Sequence, residues 1–491
     1  MKLLISVDPS VGCDYVGAKS GQTSHAKCDS LMRIQGQFRV VLSLAVTGLA
    51  AIARAEPAVM DKTEPAAAAP DAYPSTEPWD ERLSLHAQST FIVQYHPPFH
   101  SPYTGPLSLT PDNSADETWS LSLFLGARLW RGADVYVNPE LLQGFGFSNT
   151  TGIAGFTNGE AFKVGSRTPL AKISRLYFEQ TFALDGSTET IKSSQNQVAA
   201  HRPVDRLTLT IGKYAVVDIF DDNRYAHDTR SGFMNWTIDD LGAFDMASPA
   251  FNYTYGASAE LYAGRWAGRA GFFLEPRSPN AIAIDTSFRQ FQPLVEVEKR
   301  HEPFGRPGKV KVLLFARRVD GGSFSGALAA ARGTGQPPST AAVRNGLVWA
   351  YGTGLNIEQE VASYLGVFLR AGLQSGQSEE FSFTQVQESA SGGAVLSGKR
   401  WSRDGDAIGL AFVVNGIFSS ERAYLAAGGT GIIIGDGALR YAPEEIVETY
   451  YKLAPWRWVS ITPDVQFVNH PAYNQDRGPV WVFGARLHGE Y

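Results

Sequence analysis

The chain has 491 residues and a formal net charge of −6, with 44% hydrophobic residues, 12% aromatic residues and 49 glycines. Its mean hydropathy is −0.15, and no stretch supplies the ~20 apolar residues that a membrane helix needs. A helical transporter is therefore excluded, and nucleic acid is not an expected partner because there is no basic excess. The length allows two or three soluble domains or one large β-barrel, whose alternating strands average out in hydropathy.

The N-terminal region has the layout of an export signal. Residues 33–39 carry two arginines, residues 40–52 are apolar, and Ala53-Arg54-Ala55 fits the small-x-small cleavage pattern. This layout predicts a signal peptide at residues 32–55 and a mis-assigned N-terminal extension at residues 1–31. The alternative is a short buried helix, but no amphipathic period supports it.

A second N-terminal segment, residues 56–80, is rich in proline and alanine and is expected to be a solvated periplasmic linker. Both cysteines, Cys13 and Cys28, precede the predicted cleavage point. An exported domain without disulfides is therefore expected at residues 81–491.

From residue 83 onward, apolar and polar residues alternate in one segment after another. In residues 119–129, for example, every second residue is apolar, and the residues between them include Ser120, Ser122 and Arg128. Because successive strand residues point to opposite faces, each segment reads as a strand with one apolar face. Sixteen strands are predicted, at residues 85–95, 119–129, 134–140, 173–182, 205–213, 255–263, 267–275, 290–299, 309–317, 351–359, 365–374, 381–393, 406–415, 444–453, 459–467 and 480–491.

The connections between these strands alternate in length. Links from even to odd strands are mostly short, as at residues 130–132, 264–266 and 454–458. Links from odd to even strands are mostly long and rich in glycine, at residues 139–172, 214–254, 318–350 and 416–443. A soluble sandwich has no reason for this parity, whereas an outer-membrane barrel has short turns on one side and long loops on the other. The links from strand 4 to 5 and from strand 12 to 13 are longer than expected, which leaves a miscounted hairpin open. The expected fold is an all-β, transmembrane antiparallel β-barrel of sixteen strands.

The polar faces of the predicted strands would line the lumen of such a barrel. They carry both charge signs and an aromatic ring, so no strong preference for anions or cations is expected. A neutral solute rich in hydroxyl groups is the better candidate. In a soluble protein the same residues would be an ordinary solvated face. The candidate pore residues on these strands are Arg128, Tyr136, Glu140, Arg175, Glu179, Arg370, Glu448, Asp464 and Arg486.

One long link, residues 218–236, is unusually rich in planar polar groups beside aromatic rings, which could hydrogen-bond sugar hydroxyls and stack on sugar faces. A loop held by its own Asx turns is the alternative. The spacing lacks the alternate ligands and closing glutamate of an EF-hand, so no metal is expected. The chain also lacks a G-x-S-x-G elbow and a phosphate-binding lysine motif, so neither an enzyme nor a cofactor is expected. The candidate contact residues here are Asp218, Asp221, Asn223, Arg230, Asn235 and Trp236.

Several of these segments resemble the carbohydrate-selective porin family, and the resemblance covers about residues 80–491. The sequence Leu-Trp-Arg-Gly-Ala-Asp-Val-Tyr-Val-Asn-Pro-Glu at residues 129–140 resembles the first hairpin of that family, and residues 218–236 look like its most characteristic stretch. One departure is the terminal Tyr491, where many such barrels end in phenylalanine. Further similar motifs occur at residues 152–161, 211–213, 448–452 and 461–467.

The resemblance implies a sixteen-stranded outer-membrane barrel that passes monosaccharides or small oligosaccharides, with loops folded inward to narrow the pore. It implies three further partners: membrane lipid, lipopolysaccharide and the barrel-assembly machinery, which would recognise the strand ending in Tyr491. Two rivals remain open on the sequence. The first is an exported soluble β-rich sugar-binding protein. The second, which is less favoured, is a barrel enzyme.

Overall fold

A computed structural model describes residues 82–161, 165–382 and 384–491. The predicted N-terminal extension, signal peptide and linker at residues 1–80 lie outside the described residues. Within the described part, sixteen antiparallel strands close into one barrel, and two shorter strands form a separate two-stranded sheet. The predicted number of barrel strands is therefore confirmed.

The strand boundaries follow the predicted segments closely. The barrel strands are β1 (Leu83–His96), β2 (Ser114–Trp130), β3 (Ala133–Gly144), β4 (Ser166–Ala183), β7 (Arg206–Tyr214), β8 (Thr254–Ala263), β9 (Trp266–Leu274), β10 (Phe291–His301), β11 (Gly308–Val319), β12 (Val348–Ala362), β13 (Leu365–Gln374), β14 (Glu388–Ser397), β15 (Ala407–Gly416), β16 (Glu444–Trp456), β17 (Val459–Asn469) and β18 (Val480–Glu490). The two short strands are β5 (Thr188–Ile191) and β6 (Ala200–Pro203).

The barrel closes where β18 pairs with β1, in a register that sets Leu487 opposite Phe91. The side chains of both residues point outward and are exposed, whereas the neighbouring Arg486 is 1% exposed and points inward. The backbone of Tyr491 extends this seam through two hydrogen bonds with Ala87, of 2.8 and 3.0 Å. An apolar exterior around a polar interior is the pattern of a barrel surrounded by lipid.

The two ends of the barrel differ as the connection lengths predicted. On one side, β2 and β3 are joined by a tight turn in which Gly132 has a φ of +72°, a conformation that glycine adopts without strain. The link from β4 to β7, which is unexpectedly long, contains β5 and β6 rather than a missed pair of barrel strands. Apart from this link, the long connections lie on the opposite side of the barrel.

For one predicted strand, residues 381–393, the predicted first residue was wrong. The barrel strand β14 begins only at Glu388. The preceding residues belong to a loop, in which the backbone N–H groups of Phe381 and Ser382 donate to the carboxylate of Asp245. The described residues from 381 to 387 are all buried, so the alternating polarity of this loop does not mark a strand of the barrel wall.

The long loops turn into the barrel and share a hydrophobic core with its inner wall. They contain three short helices, α1 (Trp236–Asp239), α2 (Phe324–Ala331) and α3 (Ser419–Ala426). In this core the ring of Phe156 stacks on that of Trp236, with centroids 5.6 Å apart and an interplanar angle of 6°. Within the described residues, no helix is both long and apolar enough to cross a membrane.

Candidate functional site

The connection from β7 to β8, residues 215–253, crosses the barrel interior and is called the pore loop here. Its first anchor is a buried ion pair between Asp221 of the loop and Arg370 of β13, with Oδ1 and Nε 3.1 Å apart. Arg370 also donates to the backbone carbonyl of Ile238, at 3.1 Å. Asn356 of β12 adds a 2.7 Å hydrogen bond to the same Asp221 oxygen. The charged Arg370 and the neutral Asn356 of the barrel wall thus hold the loop across the lumen.

Two further anchors come from strands near the seam. The carboxylate of Glu448 on β16 accepts the backbone N–H groups of Met234 and Asn235, at 2.5 and 3.0 Å. Arg486 on β18 donates to the carbonyls of Thr229 and Gly232, at 2.6 and 2.9 Å. Hydrogen bonds to charged groups contribute about 1.5–3 kcal/mol each, so these contacts fix the position of the pore loop.

A second inward loop, residues 145–161, packs beside the pore loop. Glu444 of β16 accepts its backbone N–H groups at Ala154 and Gly155, at 3.0 and 2.7 Å. A Cβ atom at Gly155 would lie 2.6 Å from Oγ1 of Thr237 in α1, so only glycine fits where the two loops meet. Together the two loops leave a limited path through the barrel.

Both loops border a polar cavity of about 510 Å³ inside the barrel. This volume lies in the range of about 300–1,000 Å³ that is typical of small-molecule sites. Its wall includes the bidentate pair of Arg175 with Asp218, at 2.6 and 2.7 Å. It also includes Arg230, which donates to Glu160 at 2.8 Å and to the buried Glu140 at 2.7 Å. One arginine from the barrel wall, Arg175, and one from the pore loop, Arg230, therefore line the same cavity.

Aromatic rings complete the lining beside these ion pairs. The rings of Tyr177, Tyr253 and Trp236 all border the cavity. The guanidinium of Arg175 lies over the ring of Tyr253, 4.9 Å from its centroid. Planar hydrogen-bonding groups thus lie beside aromatic faces in the cavity wall, an arrangement suited to a solute that has both hydroxyl groups and C–H faces.

The charges around the cavity are mixed but not balanced. Among the described residues that line it, eight are acidic and three are basic. One of the basic groups is His227, whose Nδ1 lies 3.4 Å from the carboxylate of Asp240. Burial alone would lower the pKa of His227, but the hydrogen bond and charge of Asp240, with the charges of Asp222 and Asp239, raise it to about 10. His227 is therefore a cation at neutral pH.

Five of the fifteen residues expected from the sequence line this cavity: Arg175, Glu179, Asp218, Arg230 and Trp236. The other ten are buried inside the barrel and are not among the residues that line this cavity. Most of them bind protein groups that position the loops, because the lumen is filled with loop backbone at their level. These ten are Arg128, Tyr136, Glu140, Asp221, Asn223, Asn235, Arg370, Glu448, Asp464 and Arg486.

Several lining residues were missing from the expected set. Tyr177 and Glu260 were expected on the inward faces of the predicted strands, but they were not among the candidate contact residues. His227 and Asp228 lie within the polar link at residues 218–236, from which other candidate residues were chosen. By contrast, nothing in the local sequence indicated that residues of the β4–β7 connection reach the cavity. The lining residues missing from the set include Glu160, Asp222, Asp239, Asp240, Tyr253, Gln195 and Asn196.

A closed barrel of sixteen antiparallel strands, apolar outside and narrowed by inward loops, defines an outer-membrane porin. The sequence profile of the carbohydrate-selective porin family, the OprB family, matches residues 108–491. The protein belongs to this family, and it is a sugar-selective channel of the outer membrane.

Solved structures are similar in fold. The high-pH structure of Pseudomonas putida OprB matches with a TM-score of 0.62 and 13% identity, over 84% of this chain and 95% of that chain. The low-pH structure of the same porin matches with a TM-score of 0.45 and 11% identity, over 84% and 93% of the two chains. The outer membrane channel DcaP of Acinetobacter baumannii has a TM-score of 0.45 and 9% identity, over 83% and 97%. At these identities the likeness concerns the fold alone. No curated protein sequence matches the chain.

Proposed function

We propose that the channel is passive and that it carries neutral monosaccharides such as glucose. The observation that carries this proposal is the polar cavity in which Arg175 with Asp218 and Arg230 with Glu160 lie beside aromatic rings. A monosaccharide offers hydroxyl groups to the charged side chains and C–H faces to the rings. A channel must bind its solute weakly enough to release it, and short successive contacts of this kind meet that requirement.

The ion pairs would act by exchanging hydrogen bonds with the solute. A guanidinium has five N–H groups, and the bidentate contact between Arg175 and Asp218 occupies two of them. A sugar hydroxyl can accept from the remaining N–H groups as its hydration water is shed. Because each such contact replaces a contact with water, the net binding stays small. The mechanism involves no cofactor and no covalent step.

The rival functions fit the structure less well. A soluble sugar-binding protein would bury the apolar strand faces, whereas Leu85 and Leu487 are more than half exposed on the outer wall of the closed barrel. The family and the fold indicate a channel and not an enzyme. Passive diffusion through the cavity is the simplest function that uses the groups lining it.

Reconstitution into proteoliposomes tests the proposal. Vesicles containing the protein should admit glucose faster than empty vesicles, and they should admit sucrose more slowly than glucose. The variant Arg175→Ala should reduce this preference for glucose, because it removes donors from the cavity wall. Arg265→Ala is the matched control, since Arg265 is an exposed residue in the turn between β8 and β9. Glucose entry no faster than in empty vesicles would contradict the proposal.

We further propose how the protein reaches and contacts its membrane. Residues 32–55 would direct export, and lipopolysaccharide would contact the outer half of the barrel wall. The barrel-assembly machinery would recognise β18 with its aromatic end. In support of this last role, the backbone of Tyr491 extends the seam while its side chain is 83% exposed.

A further inference from the structure

The connection from β4 to β7, residues 184–205, is a folded hairpin and is called the turn-side hairpin here. It lies on the side of the short turns, which is the periplasmic side of an outer-membrane barrel. Its strands β5 and β6 pair in a register from Thr188 with Pro203 to Ile191 with Ala200. Its tip is closed by reciprocal backbone hydrogen bonds between Ser194 and Gln197, of 3.0 and 3.1 Å. The tip therefore has one defined conformation.

The tip of the turn-side hairpin binds side chains of the inner barrel wall. Gln195 donates to the side-chain oxygen of Gln88 on β1, at 3.0 Å. Asn138 on β3 donates to the side-chain oxygen of Asn196, at 2.8 Å. Gln88 and Asn138 are buried inward-facing residues. Ser193 adds contacts of 2.9 Å to the side chains of both Ser84 and His86.

The returning arm of the hairpin is fixed in the same way. The backbone N–H of Val198 donates to the hydroxyl of Tyr136, at 3.3 Å, and Arg128 donates to the carbonyl of Ala199, at 2.9 Å. The side chain of Val198 is 1% exposed. A solvated turn has no reason to bury a valine or to match polar groups of three barrel strands. The outer stem, residues 188–190, is by contrast exposed.

The tip also borders the path of the solute. Gln195 and Asn196 line the same cavity as Arg175, Glu179 and Arg230. The five residues from 193 to 197 are Ser-Ser-Gln-Asn-Gln, which are all polar and uncharged. Their effect on a solute must therefore come from size and hydrogen bonding and not from charge.

We infer that the turn-side hairpin is a second constriction of the pore, which limits the size of the neutral sugar that passes. The inward loops narrow the channel from the long-loop side, and the hairpin narrows it from the periplasmic side. Gln195 and Asn196 are the specificity-determining residues of this constriction. The identity of the solute rests on the proposed function, but the narrowing itself does not.

Shortening the hairpin tests this constriction. Residues 192–199 are replaced by Asn-Gly, a two-residue turn that can join Ile191 to its partner Ala200. The single-channel conductance in KCl should rise by about twofold or more, and sucrose and raffinose should enter proteoliposomes at rates closer to that of glucose. Unchanged conductance and an unchanged series of sugar rates would overturn the inference. The control is Thr188→Ala, which alters only the exposed stem.

A milder variant guards against failure of the shortened protein to fold. Gln195→Ala combined with Asn196→Gly removes both tip side chains, and glycine accepts the φ of +52° found at Asn196. This variant should also raise the conductance and weaken the discrimination between glucose and sucrose. Its barrel is checked by the shift in electrophoretic mobility on boiling. A folded variant with the conductance and sugar ratios of the native protein would refute the role of the tip.

The two proposals can fail separately. Conductance in KCl reports the narrowing without any sugar, so it rises on shortening even if the channel has no preference for sugars. If glucose enters no faster than in empty vesicles while the shortened variant conducts more, the proposed solute is wrong and the constriction stands. If glucose enters quickly and shortening changes neither conductance nor size limit, the constriction is wrong.

Discussion

Arg370 on β13 and Asp221 in the pore loop form an ion pair in which both side chains are buried inside the barrel. The same guanidinium also binds the carbonyls of Asp221 and Ile238, so it clamps two points of the loop at once. A buried charge that loses its partner is strongly destabilising, by about 3–5 kcal/mol. Arg370 is therefore one of the main anchors of the pore loop on the wall.

Replacing that residue should release the pore loop while leaving the barrel intact. Arg370→Ala leaves Asp221 buried without its cation, and we expect the loop to become sensitive to protease and the channel current to become noisy. Leu369→Ala is the matched control, because the adjacent Leu369 points outward and is 45% exposed. Protease resistance equal to that of the native protein would show that other anchors suffice.

The excess of carboxylates around the cavity predicts a weak preference for cations. In a KCl gradient, the reversal potential should indicate that K⁺ is more permeant than Cl⁻. This refines the expectation from the sequence, in which both charge signs suggested no strong preference. A reversal potential on the anion-selective side would contradict the arrangement of charges described here.

His227 should make this preference depend on pH. Its pKa is raised to about 10, so His227 keeps its positive charge through neutral pH. The stability that its contact with Asp240 contributes is full below the ordinary histidine pKa of about 6.5 and is lost as the pH rises through about 10. Loss of the positive charge increases the acidic excess, so cation preference should rise between about pH 9 and about pH 11. His227→Gln should remove this step. A step of equal size in that variant would assign it to another group.

Gly155 should be sensitive to a single added methyl group. In Gly155→Ala the new Cβ would lie 2.6 Å from Oγ1 of Thr237 and 2.7 Å from Cδ1 of Ile446, which forces the two inward loops apart. Overpacking of this kind costs about 1–3 kcal/mol and should appear as a lower unfolding temperature. Gly186→Ala is the control, because within the described structure its Cβ would meet no atom within 4 Å. Equal losses at both positions would refute the close packing of the loops.

The ring of Tyr491 should matter for insertion more than for stability. Its backbone pairs with Ala87, whereas its side chain is exposed. Deleting Tyr491 should lower the amount of protein inserted in the outer membrane, and Tyr491→Phe should restore it because the aromatic end is kept. Immunoblots of outer-membrane fractions measure this amount. Normal insertion of the shortened protein would count against recognition of the aromatic end.

The barrel itself could be predicted from the sequence because lipid on one side and polar groups on the other impose a period of two on every strand. The same rule misled at residues 381–387, where Phe381 and Ser382 bury against Asp245 in a loop. Alternation predicts one buried face, but the described residues of this segment are buried on both sides. It does not report whether the burial is against lipid, a barrel neighbour or another loop.

The residues that line the cavity were harder to predict from the alternation of polar and apolar residues. Alternation placed Arg175 and Glu448 equally on the inner face, but only Arg175 lines the cavity. Glu448 is covered by the pore loop, whose backbone it binds. That distinction depends on where a long loop lies, which long-range contacts decide. The tip residues Gln195 and Asn196 had no signal at all, since a polar turn looks the same in solvent as in a pore.

The contact of Arg486 with the pore loop also constrains the order of assembly. Arg486 lies on β18, and it binds loop carbonyls about 250 positions earlier in the chain. This anchor of the loop forms only after β18 has joined the barrel, so closure of the barrel and completion of the loop's contacts are linked. Pairings between such distant segments form slowly. A barrel without β18 would therefore lack both its closing strand and one anchor of the loop that narrows its lumen.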